Sequence, residues 1–169
     1  EESILNTYKT ILEYNRTHTR QLSTIVINDG SKDKTEQILI ENKIPHIQLI
    51  HNLGIGGAVQ TGYKYAYEND FDIAIQFDGD GQHSAKYIAP LVDALVAPIE
   101  NGNANMTIGS RFVEGSTSEF KSTKARQMGI RMISGFIKFF TKVKLYDVTS
   151  GFRAIDKSLI KEFSMNYPT

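Results

Sequence analysis

Apolar residues along the chain switch repeatedly between a helical and an extended period. Ile4, Leu5, Tyr8, Ile11 and Leu12 recur at the spacing that places one apolar stripe on a helix, and the run 22–27 that follows predicts a strand. Its exit, Asn28-Asp29-Gly30-Ser31, reads as a turn and helix cap in one, with Asp33 and then Ile38, Leu39 and Ile40 on the next helix. A second strand over 47–50 leads through His51-Asn52-Leu53-Gly54-Ile55-Gly56-Gly57 into a helix from about 58 to 68, and a third strand covers 73–77. Beyond it the pattern predicts a helix over 89–97, a short strand over 106–108, a long helix over 124–140 and another over 157–163. Strands and helices taking turns predict an α/β fold, Rossmann-like, with a mostly parallel sheet covered by helices on both faces. A doubly wound domain usually begins with a strand that feeds its first helix. This chain opens on a helix and then enters a strand of central character, so a first strand is expected to be missing at the amino end.

Composition narrows the class. The 169 residues suit one domain with a sizeable core, and neither an internal repeat nor a low-complexity linker divides them. Nineteen basic residues balance nineteen acidic ones, which gives no whole-chain reason to expect a nucleic acid partner. There is no cysteine, so disulfides and thiolate ligands are excluded and any metal is left to oxygen or imidazole donors. No run approaches the ~18 apolar residues of a membrane span, and Glu1-Glu2-Ser3 lacks a leader pattern, so a soluble, cytoplasmic protein is expected.

The strongest chemical clue is Asp78-Gly79-Asp80-Gly81-Gln82-His83 at the end of the third strand. Carboxyl ends of strands are where open α/β sheets bind ligands. Residues two apart on extended backbone point the same way, so Asp78 and Asp80 can face one hard cation, with the Gln82 amide oxygen as a third donor. That suggests Mg²⁺ or Mn²⁺ holding a diphosphate. A plain Asp-Gly turn is the bland alternative. An EF-hand is excluded, because its sixth position is His83 rather than Gly and its twelfth is Ala89 rather than Glu. A dinucleotide fingerprint is also excluded, because Gly54 and Gly56 are followed by Val59 where a third glycine belongs.

Local charge departs from the global balance. Residues 120–146 hold seven cations, Lys121, Lys124, Arg126, Arg131, Lys138, Lys142 and Lys144, and no acid, interleaved with Met128, Ile133, Phe136 and Phe140. A basic helix with an apolar face suits a membrane surface or a lipid-linked phosphate, and equally an ordinary core-facing helix with a solvated basic side. Gly109-Ser110-Arg111 and Ser150-Gly151-Phe152-Arg153 each set an arginine, whose planar fork suits phosphate oxygens, beside small residues.

Taken in order, Asn28-Asp29-Gly30-Ser31, Asn52-Leu53-Gly54, the Asp78 to His83 hexapeptide, Gly109-Ser110-Arg111 and Ser150-Gly151-Phe152-Arg153 resemble the family 2 glycosyltransferases. The likeness runs from about 22 to 154 and is nearest to the dolichol-phosphate mannosyltransferase and polyprenyl-phosphate glycosyltransferase branch. It implies a GT-A fold and an inverting hexosyltransferase that moves a sugar from a nucleoside-diphosphate sugar to an acceptor, with a polyprenyl phosphate as the expected acceptor. By the same resemblance Asp29, Gly30, Ser31, Asn52, Gly54 and Asp78 contact the nucleotide. Asp80 and Gln82, with Asp78 on the ribose or the metal, hold Mg²⁺ or Mn²⁺. Arg111 and Arg153 join Asp80 in stabilising the transferring phosphates, and Arg126 and Ser150 lie on the phosphate or acceptor side.

The resemblance divides the single domain at 1–169 into a nucleotide-sugar part, 1–110, and an acceptor part, 111–169, and places the protein at the inner face of a membrane. It also implies truncation at both ends, since the family's first strand precedes Glu1 and relatives continue past Thr169. Charge builds on the diphosphate leaving group through an oxocarbenium-like transition state, which a cation and two guanidiniums offset. A phosphate acceptor is already an anion and needs no base. The acidic motif that supplies one for hydroxyl acceptors is not recognisable, and Asp147 reads as a loop anchor. Transfer to a saccharide hydroxyl, a non-catalytic nucleotide-sugar-binding module and a nucleotidylyltransferase are the rival readings.

Overall fold

The computed structural model describes residues 2–99, 102–110, 133 and 150–168. In chain order the elements are α1 (Glu2–Thr17), β1 (Val26–Asn28), α2 (Thr35–Glu41), β2 (His46–Gln48), α3 (Gly54–Glu68), β3 (Ile73–Gln76), a 3-10 turn at Ala85–Tyr87, α4 (Ile88–Val96), β4 (Pro98–Ile99), β5 (Gly102–Asn103), β6 (Met106–Ile108), β7 (Arg153–Asp156) and α5 (Lys157–Asn166). Apart from Ile133, the basic helix expected over 124–140 lies outside the described residues, as do Arg111, Arg126 and Asp147.

Besides the short β4–β5 pair, which the pattern does not predict, three departures from the sequence expectation bear on the site. The first strand begins only at Val26, because the backbone of Leu22 is paired with a side chain instead of a ladder: Asn15 Nδ2 donates to Leu22 O at 2.8 Å and Leu22 N donates to Asn15 Oδ1 at 2.8 Å. Helix α3 begins at Gly54, so Gly56 and Gly57 lie in its first turn and not in a loop. Gly57 is buried there, and a Cβ on it would collide with the Leu53 side chain. Strand β7 has no counterpart in the periodicity, since its four residues begin at an arginine and end at the aspartate that caps α5. Asp156 Oδ1 accepts the Leu159 N–H at 3.0 Å, so helix and strand share one residue of boundary.

The expected mostly parallel sheet is mixed. β1 and β2 pair in parallel, with Ile27 opposite Ile47. β7 lies between β3 and β6 and is antiparallel to both, with Ile155 opposite Ala74 on one side and Met106 on the other. Alternation along β7 serves two cores. Ala154 packs with Tyr14, Ile88, Val92 and Leu95 from α1 and α4, while Ile155 packs with Tyr63, Ala66 and Ile160 from α3 and α5. Helices therefore cover both faces, as an α/β layer structure requires.

Among the described residues no ladder joins β1 to β3. Between them lies a cavity of about 690 Å³ lined from both strands and from α1 and α3, with Ile11, Ile25, Ile27, Val59, Ile73 and Ile75 on its walls. Val26 N donates to Pro45 O on the β2 side at 2.9 Å, so the alternating backbone turns the Ile27 amide toward the cavity.

Ile155 is fully buried at the centre of this arrangement. Ile155→Ala is expected to lower unfolding stability by about 2–5 kcal/mol in a denaturant titration, and a loss below about 1 kcal/mol would contradict its central place.

Candidate active site

The loops that leave β1 and β2 are knitted into one surface. Asn28 is buried at the end of β1, where its Nδ2 donates to Gln48 Oε1 at 2.6 Å and its Oδ1 accepts the Ser31 N–H at 3.2 Å. Asp29 Oδ1 accepts the Leu53 N–H at 2.7 Å, and Asn52 Nδ2 donates to Asp29 O at 3.0 Å. Gly54 N donates to Asn52 Oδ1 at 3.1 Å. Gly30 adopts φ +65°, and a Cβ on it would lie 3.0 Å from the Asn52 backbone nitrogen, so close approach as well as dihedral angle calls for glycine. The structure thus brings together Asp29, Gly30, Ser31, Asn52 and Gly54, five of the six residues expected at the nucleotide, and places the sixth, Asp78, on the loop after β3. Ser31 and Asn52 are exposed, whereas Asp29, Gly30 and Gly54 are half-buried.

The aspartate loop follows β3, but not on extended backbone. The strand ends at Gln76, and residues 79–81 form a turn and bend with Gly81 at φ +79°. The turn sends the two carboxylates to different surroundings. Asp78 is half-buried, and its Oδ2 accepts from His83 Nε2 at 3.1 Å. That hydrogen bond, helped by a further one from the Gln76 side chain and by the Arg153 guanidinium and opposed by burial, holds the Asp78 carboxyl below its ordinary value. Asp80 is exposed, with Oδ1 accepting the Gln82 N–H at 2.9 Å in a local turn, and Gln82 is exposed beside it.

The Ser150 loop packs directly against Asp78 and His83. A Cβ on Gly151 would collide with both carboxylate oxygens of Asp78. Phe152 is buried, meets Phe77 edge-on at 5.5 Å between ring centroids, and stacks on His83 at 5.3 Å. Gly109 N donates to Phe152 O at 2.8 Å, and a Cβ on Gly109 would collide with the Phe152 ring. Ser150 is 1% exposed, with Oγ accepting the Phe152 N–H at 3.2 Å and its carbonyl accepting from Arg153 Nε at 2.9 Å. Ser150 therefore shapes the loop, and a direct phosphate contact through it would require the loop to open. Arg153, half-buried on β7, stands opposite Gln76 and Ile108.

Asp80, Gln82 and Asp78 offer hard oxygen donors on one loop, the kind that suits Mg²⁺ or Mn²⁺. Among the described residues no three His, Asp or Glu side chains cluster at ligand spacing. A Mg²⁺ held by one or two carboxylates, with phosphate oxygens and water completing its shell, needs no such cluster, so the donor set fits that mode. His83, Gly151 and Phe152 lie within the motifs and Phe77 ends the strand before them, yet none of the four has a role that its local sequence reveals. Their signal is the placement of aromatic residues beside the turn glycines of two distant motifs.

The family model described as Glycosyl transferase family 2 matches residues 1–164. The chain belongs to that family. Its fold is accordingly GT-A, a Rossmann-like mixed α/β layer. The chain is 34% identical over 161 residues to a UDP-N-acetylglucosamine–dolichyl-phosphate N-acetylglucosaminyltransferase of Methanococcus voltae, covering 83% of this chain and 61% of that protein. It is 26% identical over 141 residues to an undecaprenyl-phosphate mannosyltransferase of Micrococcus luteus, covering 82% and 54%. A dolichyl-phosphate beta-glucosyltransferase of Trichomonas vaginalis is 28% identical over 149 residues, covering 84% and 44%. The chain thus spans about half the length of these curated relatives. Among the described residues no helix is long and apolar enough to cross a membrane.

Two outcomes follow from this packing. Gly151→Ala drives a methyl group into a carboxylate already held by His83, and it is expected to lower stability by about 1–3 kcal/mol in a denaturant titration. The second concerns pH in metal-free buffer. Because the folded carboxyl of Asp78 lies below its ordinary 3.8, its ionised form stabilises the fold above that value, and the contribution is lost as pH falls through the lowered one. The stability difference between the wild type and Asp78→Asn should be level above about pH 5 and shrink on acidification, whereas a gap unchanged down to about pH 2 would contradict it.

Proposed function

We propose that the intact protein is an inverting, metal-dependent glycosyltransferase that moves a sugar from a nucleoside-diphosphate sugar to a polyprenyl phosphate. The observation that carries this reading is the way one turn sorts its two aspartates. Asp78 is held ionised against Gly151 by His83, while Asp80 and Gln82 remain exposed at the end of β3. The three relatives, named for dolichyl or undecaprenyl phosphate, support the acceptor class.

In this reading Asp29, Gly30, Ser31, Asn52 and Gly54 hold the nucleoside, their loops fixed by the hydrogen bonds between β1 and β2 exits. Asp80 and Gln82 would hold Mg²⁺ or Mn²⁺, with Asp78 on the ribose or the metal, and the ion when bound offsets negative charge on the diphosphate leaving group. Arg153 adds a fixed guanidinium on β7, and Arg111, with Arg126 on the acceptor side, completes the cationic set. The acceptor oxygen approaches the anomeric carbon opposite the departing diphosphate, which inverts that centre. A phosphate acceptor arrives as an anion, so no carboxylate is needed to take its proton. Contact with the membrane face that presents the lipid belongs to the same proposal.

A thermal-shift panel of UDP, GDP, dTDP and CDP with and without Mn²⁺ tests the donor half on the intact protein and on Asp80→Ala. One nucleotide at about 100 times its Kd should stabilise the wild type by about 2.7 kcal/mol, only with metal, and should leave Asp80→Ala unmoved. Stabilisation by none of the four, or equal stabilisation of the variant, would overturn the reading.

A further inference from the structure

His83 closes the aspartate turn, yet the proposed chemistry gives it no task. Its side chain is 12% exposed, and its contacts fall on Phe77 and Asp78 of its own segment and on Phe152 of the distant Ser150 loop. Nε2 lies 3.1 Å from Asp78 Oδ2. The imidazole stacks on Phe152 with an interplanar angle of 25°, and it meets the Phe77 ring at 70° with centroids 5.6 Å apart. Phe77 and Phe152 meet each other edge-on, so the imidazole is bounded on two sides by aromatic carbon. Against the Asp78 carboxylate, the missing Cβ of Gly151 provides the space in which it rests.

These contacts fix both the plane of the imidazole and the direction of its Nε2–H. An ionised carboxylate accepts only, so the shared proton sits on Nε2, and one neutral tautomer suffices with no change of charge. We infer that His83 is a positioning residue: it locks the Asp78 carboxylate in place and clasps the aspartate turn to the Ser150–Arg153 loop, so that both arrive pre-arranged at the donor diphosphate. The clasp rests on contacts within the chain, and only its consequence for ligand binding rests on the proposed function.

Two substitutions separate the hydrogen bond from the ring. His83→Phe keeps an aromatic plane between Phe77 and Phe152 and removes the donor, whereas His83→Gln keeps a donor at a similar reach and removes the ring. The probes are UDP, GDP, dTDP and CDP, each with Mn²⁺, titrated into the intact protein, and the Kd of whichever binds is compared across the three forms. Loss of a partner that orients a metal-site group typically costs 10–100-fold, so His83→Phe should melt near the wild type yet bind about 10-fold or more weakly. His83→Gln should stay within about 3-fold of the wild type. A side chain that merely fills the core predicts the reverse order, with Phe tolerated and Gln damaging, and that order would overturn the inference.

Crystal structures of the three forms without nucleotide supply a readout that does not depend on binding. Asp78 should keep its carboxylate orientation in His83→Gln and abandon it in His83→Phe. If no nucleotide binds the wild type, the proposed function fails, and the clasp is still judged by these structures. An Asp78 carboxylate in the same place in all three would overturn it.

Discussion

The antiparallel insertion of β7 between β3 and β6 is the constraint on which the rest of the described structure depends. Its register places Ile155 opposite Ala74 and Met106 and Arg153 opposite Gln76 and Ile108. A slip of one residue would send Ile155 into the core of α1 and α4 and Ala154 into that of α3 and α5, leaving one face overfilled and the other with a cavity. The same register extends one step beyond the strand, through the Gly109 to Phe152 hydrogen bond, and so delivers Gly151 against Asp78. Core packing and site geometry are therefore set by one ladder.

That ladder explains how a sheet with few charged residues can present a charged site. Asp78 stays ionised although half-buried because the His83 nitrogen donates to it and a guanidinium lies near, while Gly151 leaves it space. Asp80, two residues on, is released to solvent by the turn at 79–81. Two carboxylates of one motif thus differ in setting, one oriented by its neighbours and one exposed to solvent. The loops after β1 and β2 add a separate platform whose polar groups mostly satisfy each other, which fixes its shape before any nucleotide arrives.

Much of this was legible in the sequence, and the exceptions have physical causes. Long apolar periods located α1, α3, α4 and α5, since a stripe over several turns is a strong signal. The order of the motifs was sufficient for the family. Strand β7 was not visible, because four residues beginning at Arg153 and ending at Asp156 carry too little alternation to stand out. The start of α3 was placed four residues late because Gly56 and Gly57 read as loop, when Gly57 is glycine to clear Leu53 inside a helix. Even spacing suggested one setting for Asp78 and Asp80, but Asp78 is half-buried on His83 whereas Asp80 is exposed in the turn at 79–81. The cluster of Phe77, His83 and Phe152 depends on a contact between residues 69 positions apart, from 83 to 152, and pairwise proximity of that kind leaves no trace in local periodicity.

The most direct test of the account is a transfer assay with the intact protein, a radiolabelled nucleoside-diphosphate sugar, a polyprenyl phosphate and Mn²⁺, with label counted in the organic phase. The account predicts label in the lipid, lost on chelation and in Asp80→Ala. An organic phase without label, or label in the lipid that survives both chelation and the substitution, would contradict it.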